Sequence, residues 1–230
     1  MEISQNKKLL ILDMNSTFMF GEDRFEKNKD YSKYYKSIGG TKDSSFINKA
    51  ISLAYEYLEV RYTDEKYKEC FPSLKEAIKN TIDIRDNEEI KKIIDTFSYY
   101  ERGHIPKEYI LCIEKLSKHF TLAAIIDIWA PSKSWIELFK ELNIYSLFSN
   151  ISFSSDINIV KPSPIAFKDT LEKLNINPNE ALMIGDSIRR DLGGANGAGI
   201  DCIIVGEQKT SKALACFDNL LEFEKSISYN

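Results

Sequence analysis

Several features are scarce in this sequence, and each shortage excludes something. Nowhere in its 230 residues is there an apolar run near the ~20 residues that a membrane-spanning helix needs. The first fifteen residues hold only the run Leu9–Leu12, broken at once by Asp13, which is shorter than a signal-peptide core. The four cysteines, Cys70, Cys112, Cys202 and Cys216, stand far apart with no C-x-x-C pair. Neither structural zinc nor a disulfide framework is therefore expected, and a reducing cytoplasm is the expected setting. Internal repeats and low-complexity tracts are absent. Neither sign of charge dominates: Asp and Glu number 35 against 31 Lys and Arg, for a net charge of -4. That balance gives no electrostatic reason to expect nucleic acid or an anionic membrane as a partner.

What is present is enough for a sizeable core. Hydrophobic residues make up 43% of the chain, and the length suits one large domain or a core with a smaller module. Residues 8–12 read as a buried parallel strand, and similar apolar runs recur at 121–126, 151–153, 181–184 and 202–205. Between them Trp135, Leu138, Phe139 and Leu142 fall on one helical face, as do Phe167, Leu171 and Leu174. Strands alternating with helices imply right-handed β-α-β units and a parallel sheet.

Residues 18–107 break the alternation. Ile47, Ile51, Ala54 and Leu58 recur at helical spacing, as do Ile90, Ile93, Ile94 and Phe97. The only strand-like stretch there is a short hairpin expected near residues 18–25. The reading is a core domain of residues 1–17 and 108–230, with residues 18–107 inserted as a helical cap. The insertion holds most of the tyrosines, including Tyr31, Tyr34, Tyr35, Tyr99 and Tyr100. Packing of helix faces accounts for them more readily than a substrate lining does.

In an open parallel sheet, ligands bind beyond the carboxyl ends of the strands. After the first strand comes Asp13-Met14-Asn15-Ser16, and after the run 181–184 comes Gly185-Asp186-Ser187, then Asp191. One aspartate alone is more often a cap or turn former, but these meet at one rim. Ser187 can cap a helix, and Asp191, four residues on, returns to that helix's first turn. Such acids suit Mg²⁺, which prefers oxygen ligands. In Lys161-Pro162-Ser163-Pro164, Ser163 and Pro164 suit a helix start, which sets Lys161 at the same rim as a charge donor. The glycines of residues 193–199 follow a helix start rather than a strand, so they read as close packing and a helix stop, not as a dinucleotide loop.

These residues together resemble the haloacid dehalogenase (HAD) superfamily, in order, spacing and overall architecture. Residues 9–13 are similar to its first motif, Lys161-Pro162 to its third, and Gly185-Asp186-Ser187 with Asp191 to its fourth. The insertion resembles its helical C1-type cap. The resemblance implies an α/β fold with a Rossmann-like five-stranded parallel sheet flanked by helices. It also implies Asp13 as nucleophile, with Mg²⁺ held by Asp13, the backbone carbonyl of Asn15, Asp186 and Asp191, and Lys161 steadying Asp13 and a phosphoryl group.

Two positions depart from the family pattern. Phosphatases of the family carry a second aspartate, the general acid and base, where this chain has Asn15. An amide cannot cycle a proton, and losing that step costs about 10²–10⁴ in rate. The glycine that often follows is Ser16 here. At the end of the second strand, where the family has Ser or Thr, the position falls on Ile126 or Asp127. Asp127 is then a candidate replacement proton carrier. His104 is another, although a loop histidine is more often simply exposed.

The expectation is a phosphatase-type hydrolase acting through an aspartyl-phosphate on a small phosphorylated metabolite. The alternatives are a catalytically silent HAD-fold binding domain and, last, a dehalogenase-like hydrolase, for which Asp186 and Asp191 would serve no metal.

Overall fold

Along each central strand, alternate side chains enter opposite halves of the core. Leu10 and Leu12, with Leu122, Ala124, Leu182 and Ile184, belong to one buried cluster, while Leu9 and Ile11, with Ala123, Ala181 and Met183, belong to the other. A sheet covered on both faces needs such uninterrupted apolar strands. The computed structural model describes residues 6–227. Residues 1–5 and 228–230, which the sequence reading assigned to the core domain, lie outside the described residues.

The sheet is parallel throughout and has the order β3-β2-β1-β4-β5-β6. Its strands are β1 (Leu9–Leu12), β2 (Thr121–Ile126), β3 (Phe148–Phe153), β4 (Ala181–Gly185), β5 (Asp201–Val205) and β6 (Ala215–Phe217). Among the described residues the expected five strands are thus corrected to six. The additional strand has three half-buried residues, too few to show a period, and it is added at the edge beside β5.

Four α-helices stand between β1 and the helix that leads back to the sheet: α1 (Ser32–Ser37), α2 (Ser44–Tyr62), α3 (Leu74–Thr81) and α4 (Asn87–Glu101). Side chains cap three of them. Asp43 accepts from the Phe46 amide, Asp86 from those of Glu88 and Glu89, and Ser73 forms a capping box with Glu76. Helix α2 buries Ile47, Ala50, Ile51, Ala54 and Leu58 as one stripe. The hairpin expected near 18–25 is not formed. Phe20 instead exchanges backbone hydrogen bonds with His104, and the amides of Asp23 and Arg24 reach Glu101 and Tyr100. The segment makes only an isolated bridge to the chain leaving the insertion, because Gly21 and Asp23 at positive φ break any extended run.

The tyrosines of the insertion mostly pack on one another, as where Tyr34 stacks on Tyr99 with ring centroids 4.0 Å apart and Tyr31 meets Tyr100 edge-on. The remaining helices are α5 (Lys107–Leu116), α6 (Lys133–Glu141), α7 (Ser154–Ile157), α8 (Ile165–Leu174), α9 (Gly193–Gly197) and α10 (Leu220–Ser226). Helices α8 and α9 cover one face of the sheet through Phe167 and Ala195. Gly199, at φ +74°, ends α9 in the left-handed conformation that favours glycine. Among the described residues, no helix is long and apolar enough to cross a membrane.

Candidate active site

Strands β1 and β4 are neighbours, with Leu12 opposite Ile184. The chain therefore leaves the sheet at two adjacent points, and the Asp13 amide donates to the Ile184 carbonyl at 2.9 Å. After β4, residues 188–192 form a wide, π-type turn, a form that recurs at functional sites. Its start is capped by Ser187 Oγ, which accepts from the Arg190 amide. The turn brings Asp191 back so that its Oδ2 accepts from the Ser187 amide at 2.9 Å. Gly185 has a steric reason to be glycine, because any Cβ there would collide with the Asp191 carboxylate.

One carboxylate oxygen each from Asp13, Asp186 and Asp191 lies within 4.8 Å of the others. Lys161 Nζ donates to Asp13 Oδ1 at 2.5 Å and to Asp191 Oδ1 at 2.7 Å, and all three side chains of this pair of contacts are buried. Thr17 Oγ1 donates to Asp13 Oδ2 at 3.4 Å. Burial, reinforced by Asp191 and Asp186 and opposed by Lys161, pushes the Asp13 carboxyl up to about 7. Burial and then Asp191 also raise Asp186. Burial alone would discharge Lys161, but Asp13, Asp191 and Asp127 hold its ammonium above the ordinary lysine value.

The donor set fits a hard cation. Three carboxylates converge, and Asn15 Oδ1 is buried without a hydrogen-bond partner in the cavity it lines. Oxygen donors in this number suit Mg²⁺ completed by waters or substrate. Asn15 is half-buried, and Ser16 after it adopts φ +56°, a conformation that glycine would adopt without strain.

These groups line a cavity of about 130 Å³. Asp127 is there too, and it is well occupied: Oδ2 accepts from the Tyr62 hydroxyl at 2.8 Å, and both oxygens face the Lys161 amide at 3.1 and 3.3 Å. Burial raises its carboxyl above the ordinary aspartate value, against Lys161 and the Tyr62 bond. Glu101, the last residue of α4, accepts from the amides of Trp129 and Ala130, and so ties the insertion to the loop after β2. Burial, with Asp23 adding to it, pushes Glu101 up to about 8. Arg190 lies over the Tyr62 ring at 4.9 Å. Burial works against its charge, but Tyr62, Asp127, Asp191 and Asp13 hold the guanidinium protonated.

The structure therefore gathers Asp13, Asn15, Asp127, Lys161, Asp186 and Asp191 around one cavity. His104 stands apart, exposed and outside that lining. Sequence reasoning missed Tyr62, Glu22, Asp23, Glu101, Trp129 and Arg190, which complete the wall. Only Arg190 carried a signal, as the neighbour of Asp191. The others come from the insertion or the β2 loop, where no spacing rule relates them to Asp13.

The chain matches the family described as Haloacid dehalogenase-like hydrolase over residues 41–205, which is more than half of its length, and it belongs to that family. The matched stretch includes Lys161, Asp186 and Asp191 and begins after Asp13. A glyceraldehyde 3-phosphate phosphatase from Pyrococcus furiosus is 30% identical over 89 residues, 39% of this chain and 37% of that protein. The chain thus spans little more than a third of the length of that relative. The fold is shared with a 2-haloacid dehalogenase from Pseudomonas syringae, at a TM-score of 0.65 and 19% identity, covering 95% of this chain and 97% of that one. It is also shared with the putative HAD-hydrolase YfnB from Bacillus subtilis, bound to magnesium, at a TM-score of 0.59 and 17% identity over the same shares.

Proposed function

We propose that the protein is a Mg²⁺-dependent phosphohydrolase that acts on a small phosphorylated metabolite through an aspartyl-phosphate at Asp13. The observation that carries this reading is the triangle of Asp13, Asp186 and Asp191, with Lys161 shared between two of its corners. The phosphatase name of the Pyrococcus furiosus relative supports the substrate class. Residues 18–107 would act as a cap over a core of 1–17 and 108–230, a division supported by the four helices between β1 and α5. Four free cysteines favour a cytoplasmic setting.

Asp13, the carbonyl of Asn15, Asp186 and Asp191 would hold the cation, which when bound supplies positive charge to the phosphoryl oxygens. The Asp13 carboxylate attacks phosphorus, and the bond to the leaving oxygen breaks. Lys161 stabilises the charge shifting onto the transferred group. The Asp127 carboxyl, raised by burial, gives its proton to the leaving oxygen. It then takes a proton from the water that attacks phosphorus, and breakage of the Asp13–phosphorus linkage frees phosphate and restores Asp13. A leaving group such as a carboxylate, departing from an acyl phosphate, needs little of that proton.

The test is release of phosphate from aryl and acyl phosphates with Mg²⁺, which Asp13→Asn should abolish. A second reading, a silent binding domain, is favoured by Asn15 and by the lack of a hydroxyl at Ile126 and Asp127. No turnover by the wild-type chain over a broad phosphoester panel would select it.

A further inference from the structure

Two cationic side chains line the cavity, Lys161 and Arg190, and their situations differ. The Lys161 ammonium is engaged with Asp13 and Asp191 at 2.5 and 2.7 Å. The Arg190 guanidinium makes no hydrogen bond or ion pair with any described residue, although its backbone amide is held by Ser187 Oγ. Its neighbour Arg189 shows the contrast, for it donates to the Thr63 carbonyl and to Glu65, on the insertion. Arg190 instead rests on the Tyr62 ring at 4.9 Å, a contact that orients the side chain and uses none of its N–H donors.

Tyr62 is itself fixed, since its hydroxyl is bound by Asp127 at 2.8 Å. The chain Asp127–Tyr62–Arg190 thus props a planar, five-donor cation in the cavity that Asp13 lines, with its forked donors open. Such a group matches the paired oxygens of a phosphoryl group better than a point charge does. It also answers a deficit in the same wall. The end of β2 offers Ile126 or Asp127 where the family's phosphoryl-binding hydroxyl is expected, and neither side chain is a hydroxyl donor to the phosphoryl oxygens.

We infer that Arg190, braced on Tyr62, is the residue that grips the non-bridging oxygens of the substrate's phosphoryl group, in place of the hydroxyl missing from the end of β2. The inference rests on the phosphoryl-transfer reading of the Asp13 site.

Binding of inorganic phosphate, measured by calorimetry with Mg²⁺ present, tests it without requiring turnover. Arg190→Met, which retains an apolar stem against the Tyr62 ring, should weaken phosphate binding by about tenfold to a hundredfold, the range for charge-assisted hydrogen bonds. An unchanged affinity in a folded variant overturns the inference. Turnover of aryl phosphates by the wild type would still support the phosphatase reading, so the two fail separately. If the wild type hydrolyses acetyl phosphate and phosphoglycolate, Arg190→Met should lose similar kcat/KM on both. A loss confined to phosphoglycolate would assign Arg190 to the remote carboxylate and overturn the inference. Should Arg190→Met not fold, the wild-type chain gives the answer. Saturating phosphate should protect Arg190 from phenylglyoxal, read by peptide mass, and no protection overturns the inference.

Discussion

The hydroxyl of Tyr62 donates to Oδ2 of Asp127 at 2.8 Å, so the last residue of an insertion helix is bound to the carboxyl end of β2. The contact bears directly on what Asp127 can do. Its carboxyl is held in place by a phenol and a backbone amide, while burial shifts it toward the protonated form.

If Asp127 is the proton carrier, Asp127→Asn should lower kcat by about 10²–10³ on alkyl phosphates and far less on acyl phosphates, whose leaving groups need no proton. A leaving-group series of substrates measures this. A loss equal across the series would place Asp127 in binding rather than in proton transfer.

Asn15→Asp should raise turnover, by up to about 10²-fold if proton transfer limits the rate. The side-chain oxygen of Asn15 is buried without a partner, so the substitution displaces no hydrogen bond to that atom. Steady-state kcat on an aryl phosphate decides it. An unchanged rate would mean that another group already carries the proton.

Mg²⁺ should raise the melting temperature, because a ligand bound only to the native state stabilises it. Asp186→Ala should remove most of that rise, since one of three converging carboxylates is lost. Thermal scans with and without Mg²⁺ supply the measurement, and an equal rise in the variant would place the cation elsewhere.

Without divalent cations, stability should fall as pH rises from about 4 to about 8. Burial first, with Glu22 and Glu59 adding to it, puts Asp23 at about 7 in the folded chain, against 3.8 ordinarily. Glu101 is at about 8 against 4.5. Across that interval the unfolded chain has lost these protons while the native chain keeps them. Native binding is then the greater, and the free energy of unfolding decreases with pH. Urea midpoints at pH 5 and pH 8 should show the fall, and Glu101→Gln should reduce it. An equal fall in that variant would show that Glu101 does not titrate in this range.

The sequence determined the parts of this protein governed by local rules. Uninterrupted apolar runs marked β1, β2, β4 and β5, and the residue after each run marked the rim, because strand ends in a parallel sheet are where chain and ligand meet. The spacing from Ser187 to Asp191 already implied that Asp191 returns to the start of the following helix, while the π-type turn and the bond to the Ser187 amide came with the fold. Edge strand β6 escaped, since three half-buried residues have no period to read. So did the partner of the segment at 20–24, which hydrogen-bonds to residues 100–104 across the whole insertion.

Tertiary structure alone decided the rest of the opposing wall. Tyr62, Glu101 and Arg190 come from α2, α4 and the turn after β4, and only the folded chain makes them neighbours. It decided, too, why residue 185 is glycine, which leaves room for the Asp191 carboxylate. Sequence patterns report which way a segment faces. Which charge is paired and which is left open depends on contacts between segments far apart in the chain. Lys161, bound to two carboxylates, and Arg190, bound to none, look alike until those contacts are formed.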